Sequence, residues 1–211
     1  MFTSKHNITH SQMVDQLAKD GHVILAEMLP VDMHLLHMAI GVSGEVGELL
    51  ELEFGPPDEP NWQEEFGDVE FYLAGYFDTM PKTAEPLDLE EPLVYLARNY
   101  GTEACSLIAL TIEASKLLDA TKKAAIYAAP LNLSKAVQAL VNIRFVLDQQ
   151  YTLHGFAAAE VLEANMDKLK LRYPDFGYSN SAAALRADKQ VAQVEPTNPV
   201  DSLFEDAKAN S

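Results

Sequence analysis

Apolar residues recur at intervals of three and four along almost the whole chain, which is the spacing of one face of an α-helix. Proline and glycine residues interrupt the pattern and mark the ends of helices. The pattern predicts an all-α protein, a helical bundle. Predicted helices cover residues 11–29, 32–53, 61–80, 92–100, 103–128, 134–154 and 157–172, with Asp32 and Asn61 as N-caps of the second and third.

The long helices form two similar pairs. The segment 41–51 (GVSGEVGELLE) aligns with 109–119 (ALTIEASKLLD) at an offset of 68, and 63–73 (QEEFGDVEFYL) aligns with 137–147 (VQALVNIRFVL) at an offset of 74. Because apolar positions of helices align easily, the shared helix order supports an internal repeat more than the weak identity does. We therefore predict a first helical repeat (1–80), a connector with a short helix (81–101), a second, degenerate repeat (102–186) and a flexible acidic tail (187–211).

The chain is strongly acidic, with 15 Lys and Arg against 32 Asp and Glu, a formal charge of −17 at pH 7. Such a chain has no basic face to attract nucleic acid or an anionic membrane. An anionic ligand would need divalent cations or a few placed Lys and Arg residues. The single Cys105 cannot form an internal disulfide, and no apolar run has the length of a membrane span. These features predict a cytoplasmic protein without nucleic-acid or membrane partners.

Four acidic residues form two short motifs on neighbouring helices. Glu45 and Glu48 give ExxE on the second predicted helix, and Glu65 and Asp68 give ExxD on the third. A solitary ExxE motif is most often a solvated helix face, but here both motifs lie beside apolar stripes and glycines flank the first. If the two helices pack antiparallel, the four carboxylates converge and need a cation, for which Mg²⁺, or Mn²⁺ in its place, is suited.

The second repeat retains only one of these acids, because Glu113, Lys116, Ala139 and Asn142 stand at the aligned positions. It therefore cannot hold the same metal. The last predicted helix instead places Asn165, Lys168 and Arg172 on one face, with Tyr173 next. Lys and Arg on one face suit phosphate oxygens. The alternative is that they only pair with acids of the same helix, Glu160, Glu163 or Asp167.

The runs HMAIGVSGEVGELLEL, NWQEEFGDVEFYLAGY and NMDKLKLRYPDFG resemble the MazG-like all-α nucleoside triphosphate pyrophosphohydrolases, particularly the short phage-type members. The resemblance implies hydrolysis of a nucleoside triphosphate to the monophosphate and pyrophosphate, in the host cytoplasm if the chain is phage-encoded. It implies that Glu45, Glu48, Glu65 and Asp68 bind Mg²⁺, with Glu45 or Glu48 as the catalytic base. It also implies that Asn165, Lys168, Arg172 and Tyr173 contact the substrate.

Two departures from that family pattern stand out. A lysine that often follows the ExxE helix is absent, since Glu51 to Phe54 occupy that stretch. A whole helical pair also separates the ExxD helix from the NxxKLxxRY segment. A tandem duplication explains the separation if the first copy kept the acids and the second kept the basic segment. This arrangement resembles the two-repeat, dimeric dUTPase branch, in which one chain has one complete site.

Several alternatives stay open at the level of sequence. Trp62, Tyr72, Tyr76, His34 and His37 lie near the acids and are candidates to contact a base, although aromatic residues on a helical stripe more often belong to the core. A non-catalytic nucleotide-binding or sensing protein would use the same acids. An acidic helical interaction protein would need no metal. Pairing of two chains into a homodimer is a further expectation.

Overall fold

The computed structural model describes residues 8–56 and 58–192. These residues form ten α-helices and one 3₁₀ turn and contain no β-strand, so the all-α prediction is confirmed. Of the helices in this part of the chain, none combines the length and apolar character that a membrane crossing needs. The helices are α1 (His10–Leu17), α2 (Gly21–Glu27), α3 (Pro30–Phe54), α4 (Glu59–Thr79), α5 (Pro92–Tyr100), α6 (Leu107–Tyr127), α7 (Leu133–His154), α8 (Ala158–Arg172), α9 (Asn180–Leu185) and α10 (Ala187–Ala192).

Contacts divide the chain into two compact units, Met1–Val161 and Leu162–Ser211. In the first unit, α3 packs against α4 and α6, and α6 packs against α7, so that α3–α4 and α6–α7 form two helical hairpins. A buried hydrogen bond of 2.8 Å between the Tyr76 and Thr121 hydroxyls ties α4 to α6. Apolar side chains of all four helices fill the core, among them Val42, Leu49, Phe66, Val69, Leu110, Leu117, Ile143 and Leu147.

Most predicted helix ends agree with the structure to within one or two residues. The predicted helix 92–100 is α5, and the chain leaves it through Gly101 at φ +58°. The helix α7 ends at His154, as predicted, with Gly155 in the left-handed region at φ +77°. Glycine suits that position because it has no Cβ to clash with the preceding turn. The segment between α4 and α5 contains no helix, in agreement with the predicted connector.

Two predicted N-caps and one predicted helix start are wrong. The helix α3 begins at Pro30, so Asp32 lies in its first turn and is not the N-cap. The N-cap of α4 is Asp58, whose carboxylate accepts a hydrogen bond from the Asn61 N–H at 3.3 Å. The helix α6 begins after its N-cap Ser106 and not at residue 103. In α3 and α4 a proline occupies the first turn, where its missing N–H leaves no unsatisfied donor, so the helix extends before the polar residue.

The predicted helix 11–29 is instead two short helices. Thr9 begins α1 with a capping box, and Asp20 begins α2 by accepting hydrogen bonds from the N–H groups of His22 and Val23. The Asp20 cap interrupts the helix because a capping residue takes an extended conformation. Neither α1 nor α2 contains a buried residue. The Lys19 ammonium group joins this segment to α6 by donating to the Ile126 carbonyl at 2.7 Å.

The second unit contains most of α8 and all of α9 and α10. The predicted tail begins at residue 187, but Asp188 in α10 is buried and binds the Arg172 guanidinium with both carboxylate oxygens, at 2.7 and 2.6 Å. Residues 187–192 of the predicted tail therefore form a helix that is ion-paired with α8. The rest of that prediction, residues 193–211, lies outside the described residues.

Candidate metal centre

Two close contacts fix how α3 and α4 face each other. A Cβ atom at Gly41 would lie 2.2 Å from the Tyr72 ring, and one at Gly75 would lie 2.4 Å from the Met38 sulfur. Both side chains thus rest directly on the backbone of the opposite helix, and a larger residue would have to displace the Tyr72 ring at position 41 or the flexible Met38 side chain at position 75. Because Met38 precedes Gly41 while Gly75 follows Tyr72, the two helices run antiparallel.

The same register brings the acids together one turn farther along the hairpin. Glu45 follows Gly41 by four residues and Asp68 precedes Tyr72 by four, so the two acids face each other. One carboxylate oxygen each of Glu45, Glu65 and Asp68 lies within 4.8 Å of the others. We call these three residues with Glu48 the acid cluster. Glu48 lies outside the group of three, is exposed, and acts on Glu65 through its charge.

Glu65 is the buried member of the acid cluster, with 6% of its surface exposed. Its pKa is raised from 4.5 to about 8, first by burial and then by the negative charges of Glu48, Asp68 and Glu45. Burial disfavours a charged carboxylate, and like charges nearby disfavour it further. Without a neighbouring cation, Glu65 therefore retains its proton near neutral pH.

The donor set of the acid cluster fits a hard divalent cation. Two oxygen ligands of one Mg²⁺ ion are at most about 4 Å apart, so carboxylate oxygens within 4.8 Å of one another reach this distance with small side-chain rotations. All donors are carboxylate oxygens, which Mg²⁺ and Mn²⁺ prefer over nitrogen and sulfur. The positive charge would also favour the ionised form of Glu65.

A pocket of about 180 Å³ adjoins the acid cluster at the loop between α3 and α4. Its charged residues are all acidic. Sequence reasoning did not assign Glu51, Asp58 and Asn61 to this site, although Glu51 continues the ExxE spacing by three more residues. The lysine that often follows the ExxE helix in the MazG-like proteins is absent here, and the acidic Glu51 lines the pocket in that stretch. The pocket is lined by Glu48, Glu51, Leu52, Gly55, Pro56, Asp58, Asn61 and Glu65.

Of the five residues considered as contacts to a nucleotide base, two are buried in the core and three are partly or fully exposed. Trp62 and Tyr76 are buried in the hydrophobic core, which is the alternative that sequence reasoning left open for them. Trp62 stacks on His154 with ring centroids 4.0 Å apart. Tyr72 is half-buried beside the acid cluster, and His34 and His37 are exposed on α3.

The predicted phosphate contacts belong to the second unit. Asn165, Lys168 and Arg172 lie on α8, and Tyr173 directly follows it. Asn165 is buried, while Lys168 and Arg172 are half-buried. The sequence offered Glu160, Glu163 or Asp167 as alternative partners of Arg172. The acid that binds its guanidinium with two oxygens is instead Asp188. Asp188 was assigned to the tail because sixteen residues separate it from Arg172 and no local spacing connects them.

No known family model matches the chain, and no curated protein or solved structure is significantly similar to it.

Proposed function

We propose that this protein is a Mg²⁺-dependent nucleoside triphosphate pyrophosphohydrolase of the MazG-like type, which cleaves the triphosphate to the monophosphate and pyrophosphate. The observation that carries the proposal is the acid cluster, in which Glu45, Glu65 and Asp68 offer oxygens within 4.8 Å of one another around a buried carboxylate. Four acids in this arrangement repel each other unless a cation offsets their charge. A divalent cation is also the usual partner of a triphosphate.

In this proposal the acid cluster holds one or more Mg²⁺ ions, or Mn²⁺ in their place. A bound divalent cation supplies charge for the phosphate oxygens and lowers the pKa of a water molecule. Glu45 and Glu48 are the candidate bases that take the proton from the attacking water, because both are more accessible than the buried Glu65. Glu65 and Asp68 complete the ligand set.

Lys168 and Arg172, with Asn165 and Tyr173, are the proposed contacts to the phosphates and the substrate. Positive side chains would offset the charge that spreads over the phosphates during cleavage. Asp188 holds the Arg172 guanidinium by two oxygens and thereby fixes its orientation. A nucleoside triphosphate as partner, a tandem duplication, a homodimer and a cytoplasmic location belong to the same proposal.

The test is pyrophosphate release from a panel of standard and modified NTPs and dNTPs, with Mg²⁺, with Mn²⁺ and with EDTA. We expect release that EDTA abolishes, with the monophosphate as co-product. Asp68→Asn should lower kcat/KM by at least about 100-fold, because it removes a ligand atom from the cluster. Asp78→Asn is the matched control, since Asp78 is an exposed acid on the same helix.

Full metal-dependent turnover by Asp68→Asn would remove the acid cluster from the mechanism. Absence of release from every nucleotide, in protein shown to be folded by circular dichroism, would reject the enzyme. Nucleotide binding without release would then favour a sensor, and the absence of any effect of metal would favour an acidic interaction protein.

A further inference from the structure

The second hairpin buries one carboxylate that the proposed reaction does not use. Glu113 on α6 is fully buried, and the Lys116 ammonium group lies 2.8 Å from its Oε1 atom. The Tyr100 hydroxyl donates a hydrogen bond to the same Oε1 atom, and the Asn142 amide donates to Oε2 at 3.0 Å. Both oxygens of the buried carboxylate thus accept hydrogen bonds within the protein.

Three oxygen atoms of the protein bind the ammonium group of Lys116, whose side chain is otherwise partly exposed. Its ammonium group donates to Glu113 Oε1 at 2.8 Å, to the Tyr100 hydroxyl at 2.6 Å and to the Tyr95 hydroxyl at 2.9 Å. All three donors of the ammonium group are therefore used. These bonds keep Lys116 protonated, because they raise its pKa despite partial burial.

The position of this network in the second hairpin matches that of the acid cluster in the first. At the sequence offsets of 68 and 74, Glu45 corresponds to Glu113 and Asp68 to Asn142. The carboxylates of Glu45 and Asp68 come together, and so do Glu113 and Asn142. The buried positions also correspond: Ala39, Val42, Val46 and Leu49 on α3 match Leu107, Leu110, Ala114 and Leu117 on α6.

The two remaining positions of the cluster have changed together. Lys116 stands where Glu48 stands, and Ala139 stands where Glu65 stands. One substitution adds a positive charge, and the other removes the buried carboxylate. With every acid ionised, the formal charge of the four positions is −4 in the first hairpin and zero in the second, so that the second hairpin needs no external cation.

We propose that Lys116 is a built-in cation: its ammonium group takes, in the second hairpin, the place that a divalent cation takes in the acid cluster of the first. The second hairpin then folds without metal, and each chain binds divalent cations at the acid cluster alone. This inference rests on the metal binding in the proposed function, but it concerns charge and folding, and not the reaction.

The first experiment counts bound Mn²⁺ by electron paramagnetic resonance of the free ion during titration. The triple variant Lys116→Glu, Ala139→Glu, Asn142→Asp restores four acids in the second hairpin. We expect it to bind about twice as many Mn²⁺ ions as the wild type, because each of two clusters then binds the same number. In a Glu65→Gln, Asp68→Asn background, where the first cluster is removed, the triple variant should bind about as many as the wild type.

The outcomes separate the inference from the proposed function. A wild type that binds no Mn²⁺ would reject the metal in the proposed function. A folded triple variant that binds no more Mn²⁺ than a metal-binding wild type would reject the inference and leave the proposed function intact.

A second experiment does not depend on folding of the triple variant. Lys116→Ala leaves Glu113 buried without its cation, and we expect the melting temperature in EDTA to fall by about 10 °C. Lys123→Ala is the matched control, because Lys123 pairs with Asp119 on the exposed surface of the same helix and should change the melting temperature by at most about 2 °C. Equal melting temperatures of the two variants would overturn the assignment of Lys116.

Discussion

Glu65 is the side chain of the acid cluster that water reaches least, and its charge state depends on the other three acids. The spacing of ExxE and ExxD identified all four residues, because residues three apart share a helix face. Which of them is buried depends on the packing of the whole bundle around α4. The sequence alone therefore does not predict that Glu65 is the buried acid, or that Glu51 lines the pocket.

The pH dependence of stability follows from Glu65. Its pKa is higher in the folded state, about 8, than the ordinary 4.5, so its proton stabilises the fold. That contribution is fully present below about pH 4.5 and is lost as the pH rises through about 8. We expect the melting temperature in EDTA to fall over this range, and to fall less in Glu65→Gln. The control Asp78→Asn should follow the wild type; a Glu65→Gln curve identical to the wild type would contradict this role.

The contact between Gly41 and Tyr72 can be tested against a neighbouring glycine. Gly41→Ala should destabilise the protein by about 1 to 3 kcal/mol, because its Cβ would displace the Tyr72 ring. Gly44→Ala, on the same helix with nothing within 4 Å of the added Cβ, should stabilise it by about 0.5 to 1 kcal/mol. Urea unfolding of both variants measures the difference. The same sign for both would argue against the close approach.

At the scale of elements, prolines and glycines predicted where most helices end. The starts of helices were harder to predict, because more than one residue near each start can serve as the N-cap. Asp58 and Asn61 are both good capping residues, and the proline between them decides for Asp58 because it fits the first helical turn. In the predicted helix 11–29, the helical spacing of apolar residues continues past Asp20. The chain is nevertheless divided into α1 and α2 there, because Asp20 is an N-cap, which apolar periodicity does not detect. The pairing of α10 with α8 has no local pattern at all.

The pairing of α8 and α10 predicts a specific local effect of Asp188→Ala. Removing one partner of a buried ion pair costs about 3 to 5 kcal/mol, and Asp188→Ala removes both hydrogen bonds that the Arg172 guanidinium donates to this carboxylate. We expect thermolysin to cleave α9 and α10 at least tenfold faster in this variant, with the first unit unaffected. Asp175→Ala, at an exposed position after α8, serves as the control. Unchanged cleavage in Asp188→Ala would mean that the ion pair does not hold α10.

At the scale of the whole molecule, periodicity was sufficient to predict the fold class and the order of the long helices. The division of the chain into two compact units at Val161 and Leu162 was not anticipated, because α8 continues across it without any change in composition. The negative charge of the chain is distributed unevenly between the two hairpins. The second hairpin pairs its buried Glu113 with Lys116, while the first brings three carboxylates together and adds the charge of Glu48 nearby.

The helices α1 and α2 have no buried residue, whereas α6 has ten. An amide exchanges its hydrogen for deuterium when its hydrogen bond opens, and the cost of opening a helix grows with the apolar surface it exposes. Exchange in α1 and α2 should therefore proceed through local opening and be faster than exchange in α6, whose amides exchange through global unfolding. The hydrogen bond from Lys19 to the Ile126 carbonyl then helps to keep the first two helices on α6, and mass spectrometry of deuterated Lys19→Ala should show faster uptake confined to residues 8–28.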